Sequence, residues 1–129
     1  MFNTITIDNI AFHVYIDYGT LKRSFEVKEG SNSGESISGK AIRDILGTGY
    51  SYSMTFRPDP AHLTDYDSLY ILLSEPVDYH EVTFPYGQST LTFKAKVKSA
   101  SDELEYNMSG SNYWKGLSVT FEYYELARV

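Results

Sequence analysis

Apolar and polar residues alternate along most of this chain, and a period of two marks strands with one buried face. Residues 2–7, Phe-Asn-Thr-Ile-Thr-Ile, make a first short strand, and Asp8-Asn9 turns it. Ile10, Phe12, Val14 and Ile16 then share one face, against Ala11, His13, Tyr15 and Asp17 on the other. Over residues 23–28, Phe25 and Val27 point inward while Ser24, Glu26 and Lys28 point out. Tyr50, Tyr52, Met54 and Phe56 line another strand, which Pro58-Asp59-Pro60 stops.

The second half repeats the pattern. Residues 77–84 lead into a turn at Pro85-Tyr86-Gly87-Gln88. Leu91, Phe93, Ala95 and Val97 face inward, with Thr92, Lys94, Lys96 and Lys98 outward. Ser99-Ala100-Ser101-Asp102 then reads as a turn, after which Leu104, Tyr106 and Met108 face inward. That hairpin sets the three lysines opposite Glu103 and Glu105, a favourable cross-strand pairing. Residues 109–112 form a loop. The last strand carries Leu117, Val119, Phe121 and Tyr123 on its inner face.

Two segments break the alternation. Leu63, Tyr66, Tyr70 and Leu73 recur at helical spacing, with Thr64 as cap, Asp67 as its box partner and Pro76 closing the segment. Residues 29–40 hold three of the nine glycines and four serines. They read as a loop that is mobile in an isolated subunit, because they offer little to bury. The expected fold is mostly β: a β-sandwich or barrel of antiparallel strands with one flanking short α-helix, forming a single domain over residues 1–129. Its expected core is Phe12, Val14, Phe25, Tyr52, Met54, Phe56, Phe93, Val97, Leu117, Val119 and Phe121.

Composition narrows the function classes. At 129 residues the chain fits one core. Aromatic residues make up 16%, with 12 Tyr, 7 Phe and one Trp, a bias that suits both pleated sheets and assembly surfaces. A net charge of −6 argues against broad phosphate neutralisation, so direct nucleic-acid recognition is not expected. With no cysteine, disulfides, thiolate nucleophiles and Cys-based zinc sites are excluded. The N-terminal residues carry no signal-peptide pattern and no segment approaches membrane-spanning length, so synthesis in the cytoplasm is expected.

Candidate chemistry is sparse. Gly34 to Lys40 has the G-x-x-x-x-G-K skeleton of a phosphate loop, but Ala41 stands where a magnesium-holding Ser or Thr is needed. His13, His62 and His80 lack metal-ligand spacing, and His80, between Asp78 and Glu81 in its neighbourhood, reads as solvated. Asp65 and Asp67 suit a helix start. No nucleophile elbow and no calcium loop occur. No catalytic residue, cofactor or metal is expected, and the chain does not read as an enzyme. Exposed tyrosines could stack on sugar rings, which keeps a glycan- or surface-binding β-sandwich module open as an alternative, with Tyr18, Tyr50 and Tyr113-Trp114 as its platform.

The stretch from Ser38 to Thr48, S-G-K-A-I-R-D-I-L-G-T, followed by Y-S-Y-S-M-T-F up to Phe56, resembles small tail proteins of siphophages and prophages of Gram-positive bacteria. So do Asp65-Tyr66-Asp67-Ser68-Leu69-Tyr70, Leu73-Ser74, Pro76-Val77 and Tyr113-Trp114-Lys115-Gly116-Leu117. The resemblance runs from about Ile5 to Phe121 and implies a tail-tube or distal-tail architecture. It implies a structural subunit of the virion tail, made in the bacterial host cytoplasm, assembling with itself as a ring of six copies and with other phage tail proteins, with no membrane partner. A ring needs a head-to-tail interface. The candidate subunit interface is Ile42, Arg43, Asp44 and Ile45, with Arg43 offering bidentate bonds to a neighbour's carboxylate, together with an exposed edge strand.

Overall fold

A computed structural model describes residues 5–30, 34–35, 39, 41–42 and 45–128. Strand β1 (Ile5–Ile7) turns at Asp8-Asn9 into β2 (Ile10–Phe12), and β3 (Val14–Ile16) follows after His13. Asp8 and Asn9 both take positive φ, 53° and 65°, the two-residue turn whose twist matches the flanking strands and which Asp and Asn tolerate. Strand β4 (Lys22–Glu29) leads to the short pair β5 (Gly34–Glu35) and β6 (Ala41–Ile42), then to the long β7 (Ile45–Pro58). Helix α1 (Leu63–Leu73) precedes β8 (His80–Tyr86), β9 (Ser89–Met108) and β10 (Ser111–Tyr123).

Eight of these strands form one antiparallel sheet in the order β2-β1-β8-β9-β10-β7-β3, with β4 also on β7. Strands β2 and β3 lie at opposite ends of that order, yet only His13 separates them in sequence. The sheet must therefore fold over on itself to bring its ends together. The result is a two-layered, sandwich-like body; hydrogen bonding does not close it into a barrel. The inner faces meet in a core that includes Ile7, Val14, Tyr52, Phe56, Leu69, Val82, Phe84, Leu117 and Phe121. Tyr52, Phe84 and Phe93 pack ring on ring, with centroids 5.1–6.3 Å apart. The mostly β, antiparallel class with one short helix holds.

The helix docks by Tyr66, Leu69 and Leu73, at i, i+3 and i+7. Leu63 and Tyr70, expected on that face, are exposed. His62 occupies the N-cap position, and no side chain caps the helix, so Thr64 lies inside the first turn and forms no box with Asp67. Asp59 takes over the local bonding: its carboxylate accepts from the Ala61 N–H at 3.0 Å and lies 3.1 Å from the His62 ring Nδ1.

Strand β9 corrects the expected hairpin at residues 99–102. It runs straight through them, paired to β10 from Ala95↔Tyr123 to Met108↔Ser111. A bulge shifts its phase: Val97 opposes Phe121, but Ala100 opposes Val119 and Asp102 opposes Leu117. The lysines meet other partners. Lys96 and Lys98 lie 3.2 and 3.6 Å from Glu122, and Lys94 lies 3.5 Å from Glu125. Glu103 sits instead 3.9 Å from Lys115. The true turn is Ser109-Gly110, with φ of 53° and 80°.

Candidate subunit interface

Two strand registers give the molecule two projecting arms. Strand β7 pairs with β10 only between Tyr52↔Phe121 and Phe56↔Leu117. Its earlier residues, 45–51, pair with β4 instead. The first part of β10, residues 111–116, pairs with the distal part of β9. Because β7 and β10 are antiparallel, the β4–β7 arm and the β9–β10 arm extend from opposite ends of the sheet.

Each arm carries apolar side chains that the body does not cover. On the β4–β7 arm these are Phe25, 69% exposed, with Ile45 and Leu46. Phe25 was expected in the core. It does point to the core side, opposite Tyr50, but the second layer does not reach that far. On the β9–β10 arm they are Leu104, Tyr106 and Met108, also expected inward. They keep the inward phase on a stretch that has outrun the body. Ile10, at the β1–β2 turn, is also exposed, although its cross-strand partner Ile7 is buried. Val97 is only partly buried against the core.

The β4–β7 arm is tied down at Thr48, whose N–H donates to the Arg128 carbonyl at 2.7 Å and whose carbonyl accepts from the Ala127 N–H at 3.0 Å, and by a close approach at Gly49. The Tyr123 ring crosses the backbone at Gly49 so tightly that a Cβ there would overlap its Cδ1, Cγ and Cε1 atoms. The Tyr123 hydroxyl donates to Glu26 at 2.9 Å, which binds β4 to β10 across β7. That bond raises the Tyr123 pKa, since ionisation would set two negative charges together. Beyond, Arg23 lies 5.3 Å from the Tyr86 ring centroid. The residues 22–28 edge of β4 opposite β7 has no strand partner among the described residues.

Of the four interface residues expected from sequence, Ile45 is exposed and faces Glu29 across the ladder. Ile42 lies in β6, paired with Gly34. Arg43 and Asp44 lie outside the described residues, as does most of the expected mobile loop. The phosphate-loop skeleton begins within β5, which pairs antiparallel with β6, and strands β6 and β7 follow it where the motif requires a helix.

One cluster has no counterpart in the sequence reading. His13, at the corner between β2 and β3, stacks on His62 with ring centroids 4.3 Å apart. Asp65 on α1 accepts from the His13 backbone N–H at 2.8 Å and lies 3.0 Å from its Nδ1. These bonds hold the Asp65 carboxyl below its usual range, and the Ala61 N–H and His62 ring do the same for Asp59. Residues 49 positions apart carry no local signal of contact. His80 is buried rather than solvated, 2.6 Å from Asp8 at the β1–β2 turn. Among the described residues no group of three or more His, Cys, Asp or Glu side chains could hold a metal ion, and no helix is long and apolar enough to cross a membrane.

The tyrosine platform is not assembled as expected. Tyr50 is buried, with its hydroxyl 3.3 Å from that of Tyr86. Tyr18 is 93% exposed in a turn. Tyr113 stacks on Tyr106 at 4.7 Å on the β9–β10 arm.

No family model matches the chain, and no curated protein matches it in sequence. Among solved structures it is similar to a chain from the virion of a native gene transfer agent particle, with a TM-score of 0.50 at 17% identity over 92% of this chain and 89% of that one. At that identity the likeness is one of fold.

Proposed function

We propose that this chain is a non-catalytic structural subunit of a phage-type virion, forming one ring layer of the tail from six copies of itself and contacting other tail proteins above and below. The observation that carries the reading is the pair of arms. They project from opposite ends of one sheet and bear different exposed apolar side chains, Phe25 and Ile45 on one and Leu104 and Met108 on the other. A head-to-tail assembly requires two different patches on each subunit. The fold likeness to a chain of a virion particle supports the same reading, as does the resemblance of the sequence motifs to siphophage tail proteins. In this reading the subunit is made in the host cytoplasm and ends in the tail.

Quantitative mass spectrometry of purified particles from a host carrying the gene tests this. The chain is expected in the particles at a copy number that is a multiple of the ring number. Its absence from particles that are otherwise complete contradicts the reading.

A further inference from the structure

The exposed face of α1 and the inward face of the β9–β10 arm enclose a groove of about 370 Å³ lined by Tyr66, Asp67, Tyr70, Ile71, Asp102 and Trp114. Its floor is aromatic and apolar, and its two charged residues are both carboxylates. Asp102 is held in place by the Tyr66 hydroxyl at 3.1 Å. Asp67, Tyr70 and Ile71 are exposed surface residues. An apolar groove with an acidic margin calls for an apolar side chain accompanied by a cation.

This chain carries such an element at its other end. Phe25 projects from β4 with Arg23 two residues before it on the same face. On a strand, that spacing sets the two side chains about 7 Å apart. On α1, Asp67 and Ile71 stand four residues apart, about 6 Å along one helix face. Arg23, which in its own subunit lies 5.3 Å from the Tyr86 ring centroid, turns from that ring to meet Asp67 while Phe25 enters beside Ile71, Tyr70 and Trp114. The charge signs agree where the two surfaces meet: on the face of β4 that carries Phe25 and Val27 the charged group beside them is the Arg23 guanidinium, whereas the groove lining holds two carboxylates and no base.

We propose that the occupant of this groove is the β4 strand of a second copy of the same chain, with Phe25 as its anchor and Arg23–Asp67 as its orienting ion pair. The pairing rests on the tail-subunit reading and names the surfaces that reading needs. It is heterologous, because arm and groove sit at opposite ends of the subunit, so each added copy leaves one arm and one groove open until the ring closes.

Complementation of surface variants of the full chain tests it. Phe25→Ser removes the anchor and Ile71→Glu blocks the groove, and each is expected to weaken self-association in sedimentation at least about tenfold. Mixed together they are expected to form a one-to-one dimer that grows no further, since each retains one intact surface. Arg23→Glu and Asp67→Arg are each expected to block assembly, and the double variant to restore it to within about threefold of the wild type. Wild-type assembly that both Phe25→Ser and Ile71→Glu leave unchanged, or a mixture that gives no dimer, overturns this pairing while the ring reading stands. A wild type that never associates, in solution or in particles, overturns both.

Discussion

One carboxylate oxygen of Asp65 holds both the backbone N–H of His13, at 2.8 Å, and its ring Nδ1, at 3.0 Å. His13 is the single residue between the strands that begin and end the sheet. The bond therefore fastens the first turn of α1 to the corner where the sheet folds over, and it satisfies a backbone donor that has left the ladder.

This sets an acid limit on stability. The Asp65 carboxyl is held below its usual value in the folded chain, mainly by the His13 N–H. Its contribution is present above the unfolded carboxylate pKa, near 4, and is lost as pH falls through the lower folded value. Asp65→Asn should cost about 1 kcal/mol at neutral pH and flatten the acid limb of the stability profile. Urea titrations at pH 3 to 7 check both effects; a variant whose pH profile parallels the wild type removes Asp65 from this role.

A second expectation concerns Gly49. Its Cβ position is occupied by the Tyr123 ring, so Gly49→Ala must push that ring aside and strain the Glu26 bond. Overpacking of this kind costs about 1–3 kcal/mol. Gly49→Ala with Tyr123→Ala should recover part of the loss, which chemical denaturation of the single and double variants measures.

Core and arm aromatics should differ sharply. Phe56 and Phe121 are fully buried, and truncating either to Ala should cost about 3–5 kcal/mol. Phe25→Ala should stay within about 0.5 kcal/mol of the wild type in a monomer, as for other exposed positions. A large loss at Phe25 in the monomer would mean that the second layer covers it after all.

The strands around Tyr52 and Phe56 were legible because one buried face imposes a strict period of two. The same rule misled in β9. The bulge there moves the inward positions from Phe93 and Ala95 to Ala100 and Asp102, and a phase change beside Ser99 and Ser101 reads like a turn. Phe25, Leu104 and Met108 keep the inward phase, but phase does not reveal where the opposing layer ends. The stacking of His13 on His62 depends on where α1 docks, a tertiary matter that no spacing encodes. Of the candidate interface, Ile45 is exposed on β7 and Arg43 and Asp44 lie outside the described residues, while the acidic groove beside α1 arises only when Asp67 and Asp102, 35 positions apart, are brought to one site.

Sedimentation velocity of the purified wild-type chain at rising concentration tests the central claim most directly. The account predicts that the 14.7 kDa subunit gives way to a single discrete ring-sized species rather than to a continuous ladder of aggregates. A chain that remains at the monomer mass up to the highest attainable concentration, and is missing from purified particles, would contradict it.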